Sequence, residues 1–220
     1  LLFLFTGCRN NTFSPLPTRK DNSFSYIKVP LGVGIMHPSH LDFLNQRMER
    51  SDIIAVRPHY IMLLDAIIKA QRTLVFGAQD FNESSTLINQ AKERGTQIIG
   101  YNLEGPYSKE EMIRQEKEVY KMVREQGLTF MFGPTARNLE RYYQDFSLYT
   151  DIILFQSQHY QTLSNYKTIV ANMIHNIKSV NPRVKVWVQV SVNPPGNPNI
   201  SADEVINNIE EISDEADGIW

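Results

Sequence analysis

The stretch Val184-Lys185-Val186-Trp187-Val188-Gln189-Val190-Ser191-Val192 decides the fold. Valine returns at every second position, which is the side-chain period of a β-strand, and β-branched residues favour that conformation. The five valines share one face and must meet covering helices. Trp187, Gln189 and Ser191 then point the other way, into whatever the sheet encloses.

Outward from this strand, short β-branched runs alternate with helical segments from residue 31 onward, the pattern of βα units and a parallel sheet. Strands are expected at Gly32–His37, Asp52–Arg57, Thr73–Gln79, Gln97–Glu104, Thr129–Gly133, Asp151–Gln158, Val184–Val192 and Gly218–Trp220. Seven helical stretches separate them. Ser108-Lys109-Glu110-Glu111 and Ser201-Ala202-Asp203-Glu204 have the form of capping boxes, and Gly95 and Gly127 stand where helices need a left-handed residue. Eight strands close a barrel, so residues 31–220 are expected to form a (β/α)8 barrel that lacks the last helix. The rival is an open doubly wound sheet. No Gly-rich phosphate loop follows the first strand, which counts against dinucleotide binding and leaves no cofactor implied.

The 220 residues are 42% hydrophobic, enough for a sizeable core, and carry a net charge of −2 with no run of like charge, which argues against nucleic acid as a partner. The chain opens Leu1-Leu2-Phe3-Leu4-Phe5-Thr6-Gly7-Cys8, an apolar run leading to the one cysteine. Residues 1–8 resemble the end of a lipoprotein signal peptide, which implies a diacylated Cys8. Residues 9–30, polar and proline-containing, read as a flexible tether. The expectation is an exported protein of the cell envelope, held to a membrane through lipid on Cys8.

In a barrel, alternate residues of each strand face the lumen. Counting from the apolar parity places Arg57, Gln79, Asn102, Glu104, Gln156, Gln158 and Gln189 inward at the C-terminal ends of their strands, where sites of this fold are built. Asp80 follows Gln79, and Tyr160 and Trp220 stand close enough to the rim to stack on sugar rings. Such a mouth, rich in amides and poor in charge, suits a carbohydrate or another neutral polar small molecule. Glu104, before Gly105-Pro106, is the candidate acid or base. His37-Pro38-Ser39-His40 with Asp42 has metal-ligand residue types, but Ser39 and Asp42 suit a helix start, so no metal is expected. Ser191 lacks the elbow a nucleophilic serine needs.

Asn102-Leu103-Glu104 on the fourth strand, Gln156-Ser157-Gln158-His159-Tyr160 after the sixth and Trp220 on the eighth resemble, in degenerate form, the layout of glycoside hydrolase family 18. The resemblance implies Glu104 as general acid and Asn102 in the position of an acetamide-orienting residue. It also implies Tyr160 as acetamide partner, Trp220 as subsite floor, and an amino-sugar glycan whose own acetamide is the nucleophile. More loosely, the chain is similar to barrel proteins of secreted or lipoprotein type. The family's aspartates before the Glu are replaced here by Ile98-Ile99-Gly100-Tyr101-Asn102. A non-catalytic carbohydrate- or solute-binding lipoprotein is therefore the alternative.

Overall fold

A computed structural model describes residues 29–197 and 199–220. The signal-like segment 1–8, Cys8 and all but the last two residues of the expected tether lie outside the described residues. Eight parallel strands follow one another in sequence order around a single sheet. They are β1 (Gly32–Gly34), β2 (Ile53–Val56), β3 (Gln71–Gly77), β4 (Ile98–Leu103), β5 (Thr129–Pro134), β6 (Ile152–Gln156), β7 (Lys185–Gln189) and β8 (Gly218–Ile219). The last strand returns to the first: Leu31 bridges Ile219, and the Ile219 amide donates to the Pro30 carbonyl at 2.9 Å. The sheet is a (β/α)8 barrel, as the alternation of strand and helix requires.

Among the described residues six α-helices lie outside it: α1 (Leu41–Arg47), α2 (Ser84–Glu93), α3 (Lys109–Glu125), α4 (Ala136–Phe146), α5 (Tyr166–Val180) and α6 (Ala202–Ile212). The second crossover, Pro58–Ala66, is a 3-10 segment in place of the expected helix. Gly95 and Gly127 take the left-handed conformation, with φ of 72° and 71°. Ser201 and Glu204 form the full capping box. Ser108 caps α3 through the Glu111 amide, but the Glu111 carboxylate turns to Arg114 and Gln115, so that box is only half made.

Within the strands, alternate residues face helices and lumen as the apolar parity requires. Ile54, Val56, Phe76, Ile99, Tyr101, Leu103, Ile153, Phe155 and the valines Val184, Val186, Val188 and Val190 pack with the helices in the outer core. Ile53, Ala55, Val75, Ile98, Met131, Ile152, Leu154 and Trp187 fill the lumen as a separate cluster, capped by Trp220. Two indole rings in so narrow a space need glycine opposite. A Cβ on Gly218 would lie 2.5 Å from the Trp187 ring, and one on Gly32 would lie 2.5 Å from Trp220.

At the N-terminal face of the barrel the strands are pinned in pairs. The side chain before each even strand accepts a backbone N–H at the start of the odd strand preceding it. Asp52 takes Leu31 at 2.8 Å, Gln97 takes Arg72 at 2.7 Å, Asp151 takes Phe130 at 2.9 Å and Asp217 takes Val186 at 2.8 Å. Each bond answers a donor that would otherwise end the ladder unpaired.

Among the described residues His40, Arg94, Thr96, Glu116 and Trp187 each keep a buried polar side-chain atom without a hydrogen-bond partner. Glu116 on α3 is fully buried, and neither of its carboxylate oxygens has a hydrogen-bond partner. Burial, and then the nearby Asp145, push its carboxyl well above the ordinary range.

Candidate functional site

The C-terminal ends of the strands open into a mouth with two lobes. The polar lobe, about 230 Å³, is lined by Arg57, Asn102, Glu104, Gln156, Gln158, Gln189 and Trp220 above a floor of Val75, Gly100, Met131, Gly133 and Leu154. The second lobe, about 340 Å³, is mainly apolar and runs over β1 between Gly32, Gly34, Met36, Val190, Ile209 and Trp220. Arg57, Val75, Gln189 and Trp220 line both.

Glu104 follows the last residue of β4 and is held by two amides. The Asn102 Nδ2 donates to its Oε1 at 3.0 Å, and the Gln156 Nε2 donates to the same oxygen at 2.9 Å. Gln156 also donates to the Asn102 Oδ1 at 3.2 Å, which closes a triangle across β4 and β6. Gly133 on β5 makes this possible, since a Cβ there would stand 3.0 Å from the Asn102 oxygen. Both donors fall on Oε1, and Oε2 has no partner among the described residues. Asn102 and Gln156 thus position the carboxyl. The side chains of Gln158 and Gln189 make no hydrogen bond among the described residues and are open to a ligand. Gly105, with φ of 148°, lets Tyr107 fold over the turn behind Glu104.

The strand tops are themselves braced by residues that the sequence did not single out for this. The buried Ser157 hydroxyl donates to the Gln189 carbonyl at 2.8 Å and meets the Tyr166 hydroxyl at 2.9 Å. Gln161, also buried, clamps Ser191 with one bond to its carbonyl (2.7 Å) and one from its amide (2.8 Å). Polar residues with an expected long-range partner carry no local signature, and only the fold brings them together.

Of the expected site residues, Arg57, Asn102, Glu104, Gln156, Gln158, Gln189 and Trp220 meet in the mouth. Three others stand elsewhere. β3 ends at Gly77, and a 3-10 turn (Ala78–Glu83) begins there. The Asp80 carboxylate caps that turn through the Gly77 amide at 3.0 Å, and the exposed Gln79 donates to it at 2.9 Å. Tyr160 turns outward, packs on Phe155 and donates its hydroxyl to Glu140 on α4. Burial and that carboxylate both raise its pKa. At the end of β1, His37 caps the next turn by accepting from the Ser39 amide at 3.3 Å, a role expected of Ser39. Among the described residues no group of three or more His, Cys, Asp or Glu is placed to hold a metal ion, and no helix is long and apolar enough to cross a membrane.

The closed sheet and the site at its C-terminal face define a (β/α)8-barrel protein. No family model and no curated protein sequence matches the chain. Solved structures do. The chain is similar to deoxyribose phosphate aldolase from Aeropyrum pernix, with 11% identity over 88% of this chain and 84% of that one and a TM-score of 0.63. It is also similar to β-1,3-glucanosyltransferase from Rhizomucor miehei (8% identity, 87% and 85% covered, TM-score 0.60). A third is the spore cortex-lytic enzyme of Bacillus megaterium (13% identity, 84% and 57% covered, TM-score 0.54). At such identities the likeness is one of fold, and it spans aldolase and glycan-processing chemistries alike.

Proposed function

We propose that the protein acts on an amino-sugar-containing glycan bound in the mouth, with Glu104 as the acid that protonates the leaving oxygen. One observation carries this: Glu104 is clamped through Oε1 by Asn102 and Gln156, while its Oε2 has no partner among the described residues and Trp220 lines the same lobe. General acid catalysis needs a carboxyl held in one orientation within reach of the departing group. Among the described residues Glu104 is the single carboxylate lining either lobe. A second side-chain carboxylate being absent from that lining, the nucleophile in this scheme is the substrate's own acetamide. The β-1,3-glucanosyltransferase and the cortex-lytic enzyme among the structural neighbours lend support at the level of fold. Because Asn102 is engaged with Glu104 and Gln156, and Tyr160 with Glu140, the acetamide partner in this reading is Gln158 or Gln189.

The test is product analysis on chito-oligosaccharides. Glu104→Gln keeps the shape and the bond from Gln156 but supplies no acidic proton. It should cut turnover by about 10²–10⁴-fold while binding persists. Undiminished hydrolysis in that variant contradicts the role. The lone carboxylate also favours a second reading, a glycan-binding protein without turnover on the same mouth, which calorimetry with no released product would identify. In either reading the barrel is exported and tethered by lipid on Cys8. Metabolic labelling with a radioactive fatty acid should mark the full-length protein and be lost in Cys8→Ser.

A further inference from the structure

Arg57 follows β2 at the rim and stands at the junction of the two lobes. Three described arginines are half-buried: Arg57, Arg72 and Arg94. Arg72 donates to the carbonyls of Ile67 and Arg94, and Arg94 pairs with Asp65. Arg57 has no hydrogen bond from its side chain and no ion pair among the described residues. A guanidinium keeps its charge at any working pH and presents five donors in a planar fork. Arg72 is thus answered by two backbone carbonyls and Arg94 by a carboxylate, although the Arg94 Nε is itself buried without a partner. The half-buried Arg57 side chain has no such partner, and it lines both lobes together with Val75 and Trp220. Glu104, the other charged residue lining the mouth among the described residues, makes no ion pair with it and is committed through Oε1 to Asn102 and Gln156.

Resting on the glycan reading above, we infer that Arg57 receives a carboxylate carried by the ligand, so that the mouth takes an acidic sugar. A single fork beside neutral amides matches one planar, singly charged group. A phosphate is served in this fold by backbone amides of a glycine-bearing loop and a helix N-terminus after the seventh and eighth strands, and no such glycine pattern follows β7. Arg57 is thus a specificity residue, set apart from the proton-donating carboxyl.

The experiment titrates the full chain, wild type and Arg57→Gln, by calorimetry with N-acetylmuramic acid, N-acetylglucosamine and glucose 6-phosphate. In the wild type the carboxylated sugar should bind at least about tenfold more tightly than N-acetylglucosamine, the size of one charge-assisted contact. In Arg57→Gln that ratio should fall to about one. The variant gives up no internal bond, so its melting temperature should be unchanged or higher, which separates lost recognition from lost folding. Equal affinity for the two sugars in the wild type, or a preference that survives in Arg57→Gln, overturns the inference and leaves the glycan reading standing. Tighter, Arg57-dependent binding of glucose 6-phosphate overturns the carboxylate assignment. Binding of neither amino sugar overturns the glycan reading and the inference with it.

Discussion

Among single residues, the proposed chemistry rests on how one carboxyl is held. Glu104 emerges from β4 with one oxygen taken by two amide donors, one from its own strand and one from β6, 52 residues away. Position at a strand end was enough to mark Glu104 from the sequence, because parity and the fold fix which end is the mouth. The bond from Gln156 was not legible, since it depends on the register of strands far apart in the chain. Removing it should act on orientation and little on affinity. Gln156→Ala is expected to lower kcat by about 10–100-fold with KM changed less than about threefold, measured on the same chito-oligosaccharides. A KM rise without a kcat loss would instead make Gln156 a binding residue. Tyr160 shows where the counting of alternate residues stops. Gln156 leaves the extended region, with φ −75° and ψ 75°, and Ser157–His159 form a 3-10 turn. Beyond that point strand parity no longer governs, and Tyr160 swings to α4. Gln79 and Asp80 fall out of the mouth for the same reason, at the turn after Gly77.

At the scale of elements, the N-terminal face holds the strands while the C-terminal face holds the polar site. Asp217 accepts the Val186 amide and pairs with Lys178 at 2.9 Å, so Asp217→Ala leaves a strand-end donor unanswered between β7 and β8. It should destabilise the fold by about 1–3 kcal/mol in urea unfolding, with sugar binding kept in the folded fraction. Glu116 predicts the opposite sign. In acid its carboxyl is neutral in both states. Above its ordinary pKa of 4.5 the unfolded chain ionises, while burial keeps the folded carboxyl protonated. Stability then falls as pH rises, until the folded group also ionises at its raised pKa. Glu116→Met should therefore raise stability by about 1–3 kcal/mol at neutral pH and flatten the loss between acid and neutral solution. An unchanged pH slope in that variant would show that Glu116 is not the group responsible. Helix α3 was legible from its periodicity and its Ser108 cap, whereas a glutamate on its buried stripe reads in sequence as one more exposed charge. The 3-10 crossover Pro58–Ala66 was likewise hidden, since a proline-led apolar run carries no sequence mark that separates 3-10 from α.

For the whole molecule, closure of the sheet brings Trp220, just after β8, against Gly32 on β1, and both line the mouth. The regular spacing of strands made the barrel legible. What the spacing could not reveal is the division of the mouth into an amide-lined lobe and an apolar one, with Arg57 between them. That division depends on which lumen side chains are absent, above all at Gly32 and Gly34, as much as on which are present. The central claim is that a glycan binds in this mouth, and the two tryptophans of the chain allow a direct test. Trp187 is sealed in the lumen at 3% exposure, while Trp220 is half-buried and lines both lobes. Titration of the protein with chito-oligosaccharides should give a saturable change in tryptophan fluorescence, and Trp220→Phe should abolish it while Trp187 stays silent. A signal that persists in Trp220→Phe, or none in the wild type, would contradict a glycan site at the C-terminal mouth of the barrel.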